Sequence, residues 1–123
     1  MLPNMTTYRF LKNNELKVIK YLLSFVKLPY KINTPIKKIL VTDLNDGGMG
    51  SFEFFGKTKS KRTFGMPLIE ADTYDIDGRK VMLQLSVDNE GYLYQLDSWT
   101  SDFNPLVGDL GAVFIFENIN VRE

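Results

Sequence analysis

The side chains of this chain that could carry chemistry are almost all carboxylates. Asp43, Asn45 and Asp46 lead into Gly47, Gly48, Met49, Gly50 and Ser51, and Asp72, Asp97 and Asp102 follow in the second half. The 123 residues hold 15 Lys+Arg, 15 Asp+Glu, no His and no Cys. Mechanisms that need a Ser-His or Cys-His pair, a thiol nucleophile, a haem ligand or a Cys/His zinc cage are therefore excluded for these residues. Carboxylate, Lys, Tyr or hydroxyl chemistry remains, or none at all.

Asp43, Asp46 and Asp102 are the residues from which a hard-cation site could be built, since Mg²⁺ and Ca²⁺ take oxygen ligands. The loop is not an EF-hand: Asp43 and Asn45 fill its first and third positions, but Gly47 stands at the fifth and Phe54 at the twelfth. Its glycines could line an anion nest with backbone N–H groups. The simpler reading is a tight connection in which Asp and Asn bond their own backbone. Gly56-Lys57-Thr58 is not a phosphate loop, because five residues separate Gly50 from Gly56 and those five read as strand. Lys57, Lys59, Lys61 and Arg62 read as a solvated hairpin tip with Phe64 as its one aromatic neighbour, so nucleic acid is not the expected partner. An unperturbed Asp is a poor general base at neutral pH.

These residues need elements to position them. Asn13 and Asn14 precede Glu15, and Leu16, Ile19, Leu22, Leu23 and Val26 recur at helical spacing, which predicts one amphipathic helix over 13–27 with Lys17, Lys20 and Lys27 on its polar side. Strands are predicted at 39–43, 52–54, 69–74, 81–87 and 92–99, with a closing apolar strand Ala112 to Phe116. A three-residue loop Ile76-Asp77-Gly78 sets Thr73 opposite Val81, Ala71 opposite Leu83 and Ile69 opposite Leu85. An even loop, Asp88 to Gly91, sets Leu85 opposite Tyr94 and Leu83 opposite Leu96. On the other face this register makes a row of Asp72, Met82 and Asp97, a second of Glu70, Gln84 and Gln95, and a third of Tyr74, Lys80 and Trp99. Asp72 and Asp97 would then lie about 9–10 Å apart, wide for one shared ion. Lys80 would sit between two rings as a cation–π stack. The simpler reading of this face is an ordinary solvated sheet surface, and Trp99, a residue type enriched at binding hot spots, keeps a partner surface as the alternative.

The composition is that of a globular chain, with 44% hydrophobic, 24% charged and 13% aromatic residues. Its length is that of a single domain spanning 1–123, with residues 1–8 expected to be flexible. Met1 to Phe10 has no apolar run of signal-peptide length and no stretch approaches a membrane span, so a cytoplasmic protein without membrane contact is expected. The net charge of zero hides a division: residues 1–62 hold 12 basic and 4 acidic side chains, +8, and residues 63–123 hold 3 and 11, −8. Either the molecule is polar or its halves interleave.

Asp43 to Ser51, read as DLNDGGMGS, and the segment Leu93 to Leu106, read as an ELD-x-W-x-x-DF-x-PL-like stretch with Gln95 at its acidic position, resemble a family of small bacterial proteins catalogued as a domain of unknown function. The resemblance covers residues 8–106 and implies no catalytic residue. The expectation is an α+β fold, the N-terminal helix packed on an antiparallel meander of five or six strands. The expected role is a non-enzymatic protein-interaction module, immunity-like in its neutralising of a toxin, with no cofactor and with another protein as partner. Homodimerisation through the Ala112–Phe116 strand is a further expectation. The alternative is a metal-binding protein or small enzyme using the Asp43–Ser51 loop with Asp97 and Asp102.

Overall fold

The computed structural model describes residues 7–56 and 61–123. Strand β1 (Arg9–Phe10) leads into helix α1 (Asn13–Leu23); a single 3₁₀ turn (Ile36–Lys38) precedes β2 (Leu40–Asp43) and β3 (Phe52–Phe54). Then come β4 (Phe64–Tyr74), β5 (Lys80–Asp88), β6 (Leu93–Thr100) and β7 (Glu117–Val121). All seven strands form one antiparallel sheet in the order β1-β2-β3-β6-β5-β4-β7. The α+β expectation holds, with seven strands in place of five or six.

The helix starts on Lys12, not on an Asn, because Glu15 reaches back and accepts the Lys12 N–H at 2.8 Å. It ends at Leu23, four residues early. Phe25 and Val26 N–H bond to the carbonyls three residues back, so the last turn tightens and the stripe stops. The buried helical positions are Glu15, Val18, Ile19 and Leu22, while Leu16 and Leu23 flank them half-buried. These side chains share one core with Val41, Phe52, Phe54, Ile69, Leu83, Leu85 and Leu96 from the covered face of the sheet. Burying each such group contributes about 1.5–3 kcal/mol.

Ala112–Phe116 is not a strand. The buried Thr73 hydroxyl donates to the Ile115 carbonyl at 2.7 Å, and Tyr21 stacks on Phe116 at 4.7 Å with Phe114 edge-on at 5.3 Å. Its apolar residues cover the helix flank, and the sheet edge belongs to Glu117–Val121. Any pairing between copies on this side must use that strand. At the other edge, β1 is two residues long, too short to show alternation. Of the segment 1–8, residues 1–6 lie outside the described residues, and Tyr8 stands edge-on to Phe55.

The β4–β5 register is the expected one: Ile69 faces Leu85, Ala71 faces Leu83 and Thr73 faces Val81. The β5–β6 register is not. Leu85 faces Leu96 and Leu83 faces Ser98, two residues away from expectation. The turn is odd, since Asp88 N–H bonds to the Tyr92 carbonyl across Asn89, Glu90 and Gly91. A bulge at Tyr94, opposite Ser86 and Val87, then restores the apolar parity that an odd turn alone would lose.

Candidate functional site

The glycine loop is built around the Asp46 carboxylate, which accepts N–H bonds from Met49 at 3.0 Å and Ser51 at 2.9 Å. Gly48 and Gly50 have φ of 79° and 100°, and a Cβ on Gly50 would lie 2.8 Å from Leu106. The loop is thus pressed against the 97–106 segment. Ser51 and Ser98 bond each other in both directions, the Ser98 hydroxyl donates to the Met49 carbonyl at 2.7 Å, and Leu106 N–H donates to Gly48 at 3.0 Å. The two segments singled out in the sequence are one structural unit.

Their carboxylates do not converge. Asp43 takes both its hydrogen bonds from Arg9, which also grips the buried Glu15, and the guanidinium holds the Asp43 carboxyl below its ordinary range. Asp102 accepts from Asn104 N–H and from Arg79, and these bonds hold it low as well. Asn45, Gly47 and Gly48 are exposed at the loop tip. Asp43 and Asp46 line a cleft of about 450 Å³ with Arg9, Lys12, Gly50 and Leu106, and Asp102 lies outside it. Among the described residues no group of three acidic side chains is placed to hold a metal ion.

The second candidate surface is the uncovered face of the sheet. The bulge moves Trp99 into a row with Met82 and Asp72, and Asp97 into a row with Gln84 and Glu70. Tyr74 faces Lys80 as expected, but Trp99 does not flank that lysine, so the cation–π stack is absent. The Lys80 ammonium lies 3.7 Å from Asp72, and the Tyr74 hydroxyl donates to Glu117 at 2.8 Å. Glu70, Asp72, Met82, Trp99, Asn118 and Asn120 surround a groove of about 260 Å³. Asp97 is half-buried; burial first, and the charge of Asp46 second, push its carboxyl up.

Two arginines escaped the sequence reading. Arg62 is not part of a solvated tip. It donates to Asp88 at 2.8 Å and to the carbonyls of Phe54 and Leu93, with Tyr94 beneath its guanidinium, while Lys61 is exposed and Lys57 and Lys59 lie outside the described residues. Arg79 joins Asp75, Asp77 and Asp102 and the carbonyls of Asn104 and Pro105. Its signal was the charge count: it is one of three cations in a half with eleven acids.

An α+β domain whose described residues form one helix and one open antiparallel sheet defines the class. The chain belongs to the family described as Domain of unknown function (DUF6984), whose match spans residues 8–108. No curated protein and no solved structure matches it. Among the described residues no helix is long and apolar enough to cross a membrane.

Proposed function

We propose that this chain is a non-enzymatic protein-interaction module of the cytoplasm and that its uncovered sheet face receives a basic partner surface. The observation that carries this reading is the face itself. It presents the Trp99–Met82 groove among Glu53, Glu70, Asp72, Asp97 and Glu117, with Lys80 as the cation within the strands. An aromatic anchor inside a carboxylate field suits a cationic partner, for affinity through the ring and for approach rate through the charge. Neutralising a basic toxin is the concrete form this takes, by analogy with other small α+β domains. The reading is preferred to a carboxylate metal centre because Asp43, Asp46 and Asp102 already have arginine or backbone N–H partners.

The test titrates the purified chain with a synthetic peptide rich in Lys and Arg and with its glutamate counterpart as control. Trp99→Ala should weaken binding about 10–100-fold. Because the ring is partly buried in the groove, some loss of melting temperature is expected, and binding is compared well below the melting temperatures of both proteins. Binding should also weaken with salt. A panel of Mg²⁺, Ca²⁺ and Mn²⁺ should leave the melting temperature unchanged; a saturable stabilisation lost in Asp46→Ala would favour the metal alternative instead.

A further inference from the structure

Phe103 has φ of +59°, a left-handed backbone that a bulky side chain rarely adopts, and its ring is 69% exposed. Both facts are costs to a folded chain, and neither is offset by core packing. The conformation is imposed by its neighbours. Phe103 N–H bonds to the Thr100 carbonyl at 3.1 Å, Asn104 N–H to Asp102 at 3.1 Å, and the Thr100 hydroxyl to the Asn104 carbonyl at 2.7 Å. Arg79 then fastens this turn to the β4–β5 hairpin through Asp102 and Pro105. The buried Asp75 carboxylate adds the N–H groups of Val107 at 2.6 Å and Gly108 at 2.9 Å. Gly108 lies directly under Ile76, leaving no room for a Cβ.

This clamp presents more than one apolar side chain. Val107 is 65% and Ile76 57% exposed, so three of the four most exposed large apolar residues among those described project from one fixed corner. Each has a carboxylate within two residues, Asp77 after Ile76, Asp102 before Phe103 and Asp109 after Val107. Arg79 pairs with Asp75, Asp77 and Asp102 and Lys12 lies 3.8 Å from Asp109, so four carboxylates stand against two cations at this corner. Strain held by a rigid network at an exposed aromatic is the mark of a preorganised contact.

We propose that the Phe103 corner, with Ile76 and Val107, is a second docking surface, separate from the Trp99 face, for a protein that offers an apolar socket rimmed by Lys or Arg. The rim chooses the occupant. With Asp75, Asp77, Asp102 and Asp109 against Arg79 and Lys12 the corner is net negative, which matches a cationic socket and disfavours an anionic lipid surface. The backbone outlier lies at Phe103, so the contact is inserted without further ordering of this chain.

The probe is a short synthetic peptide with a Leu-Trp-Leu centre flanked by lysines, set against its glutamate-flanked counterpart and against vesicles with and without phosphatidylserine. Amide resonances of the full chain are followed for the wild type, Phe103→Asn and Trp99→Ala. The lysine peptide alone should move Ile76, Phe103 and Val107 in a saturable, salt-sensitive way. Phe103→Asn should weaken this about tenfold or more without lowering the melting temperature, since Asn tolerates the left-handed backbone better than Phe. Several outcomes overturn the inference: a clear loss of thermal stability in Phe103→Asn, equal binding of both peptides, a preference for vesicles, or self-association that Phe103→Asn removes. If Trp99→Ala abolishes the shifts and Phe103→Asn spares them, the sheet face is the surface and this one is not. The opposite pattern supports the corner whatever becomes of the sheet face.

Discussion

Asp75 accepts N–H bonds from Ile76, Val107 and Gly108 and an ion pair from Arg79, with almost none of its carboxylate exposed. Burial alone would raise that carboxyl, but the bonds overcome it and hold the group low. The arrangement ties the 101–110 loop to the hairpin tip with charge instead of apolar packing. Asp75→Ala strands two or more buried N–H groups and is expected to cost about 2–4 kcal/mol in urea unfolding. Asp75→Asn keeps one acceptor oxygen and should lose less. Arg79→Lys keeps the charge and loses the fork, so it should fall between Arg79→Ala and the wild type. Stability equal to the wild type in all four variants would show that the clamp holds nothing together.

The elements were legible in the sequence where one rule had one answer. Ile69 to Val87 alternates around a glycine turn whose length decides which side chains face each other, and the β4–β5 pairing follows from that. At the next hairpin parity had two solutions, an even turn, or an odd turn with a bulge at Tyr94. In the bulged solution Arg62 closes on Asp88 from outside both strands and lies over the Tyr94 ring, contacts of which alternation within the hairpin carries no trace. The bulge decided the candidate face, moving Trp99 from Lys80 to Met82. Ala112–Phe116 failed differently: its continuous apolar run serves the Tyr21 ring and the Thr73 hydroxyl instead of a ladder. Thr73→Val removes that hydroxyl at nearly constant volume. It is expected to cost about 1–2 kcal/mol and to speed hydrogen exchange in 113–121 while leaving 81–88 protected. Uniform loss of protection across β4 and β5 would mean that Thr73 serves the sheet core and not the segment over it.

Across the whole molecule the strand order sets β1, β2 and β3 on one side and β6, β5, β4 and β7 on the other. Among the described residues, ion pairs join the two charged halves only at Lys12–Asp109, Lys27–Glu123 and Arg62–Asp88. Lysines 12, 17, 20 and 27 are exposed in and around the helix, and carboxylates dominate the open sheet face, so zero net charge describes a polar molecule. The acids also set how the fold responds to pH. Asp43, Asp75, Asp88 and Asp102 are all held low, by Arg9, by Val107, Gly108 and Arg79, by Arg62, and by Asn104 and Arg79. A carboxyl lower in the fold than in the unfolded chain stabilises when ionised; its contribution is complete above the unfolded value of about 3.9 and is lost as pH falls through the folded value. Asp97 works the other way. Raised in the fold by burial and by Asp46, it contributes nothing at low pH and destabilises as pH rises through its folded value. The stability of the wild type in urea unfolding should therefore drop steeply below about pH 4, while Asp97 adds an opposing fall as pH rises from about 3.9 through its raised folded value. Asp97→Asn should be more stable than the wild type at about pH 7 and equal to it at about pH 3, since only the ionised form carries the penalty. A variant that loses stability at neutral pH would show that the Asp97 carboxylate is a partner of the glycine loop, not a charge tolerated beside it.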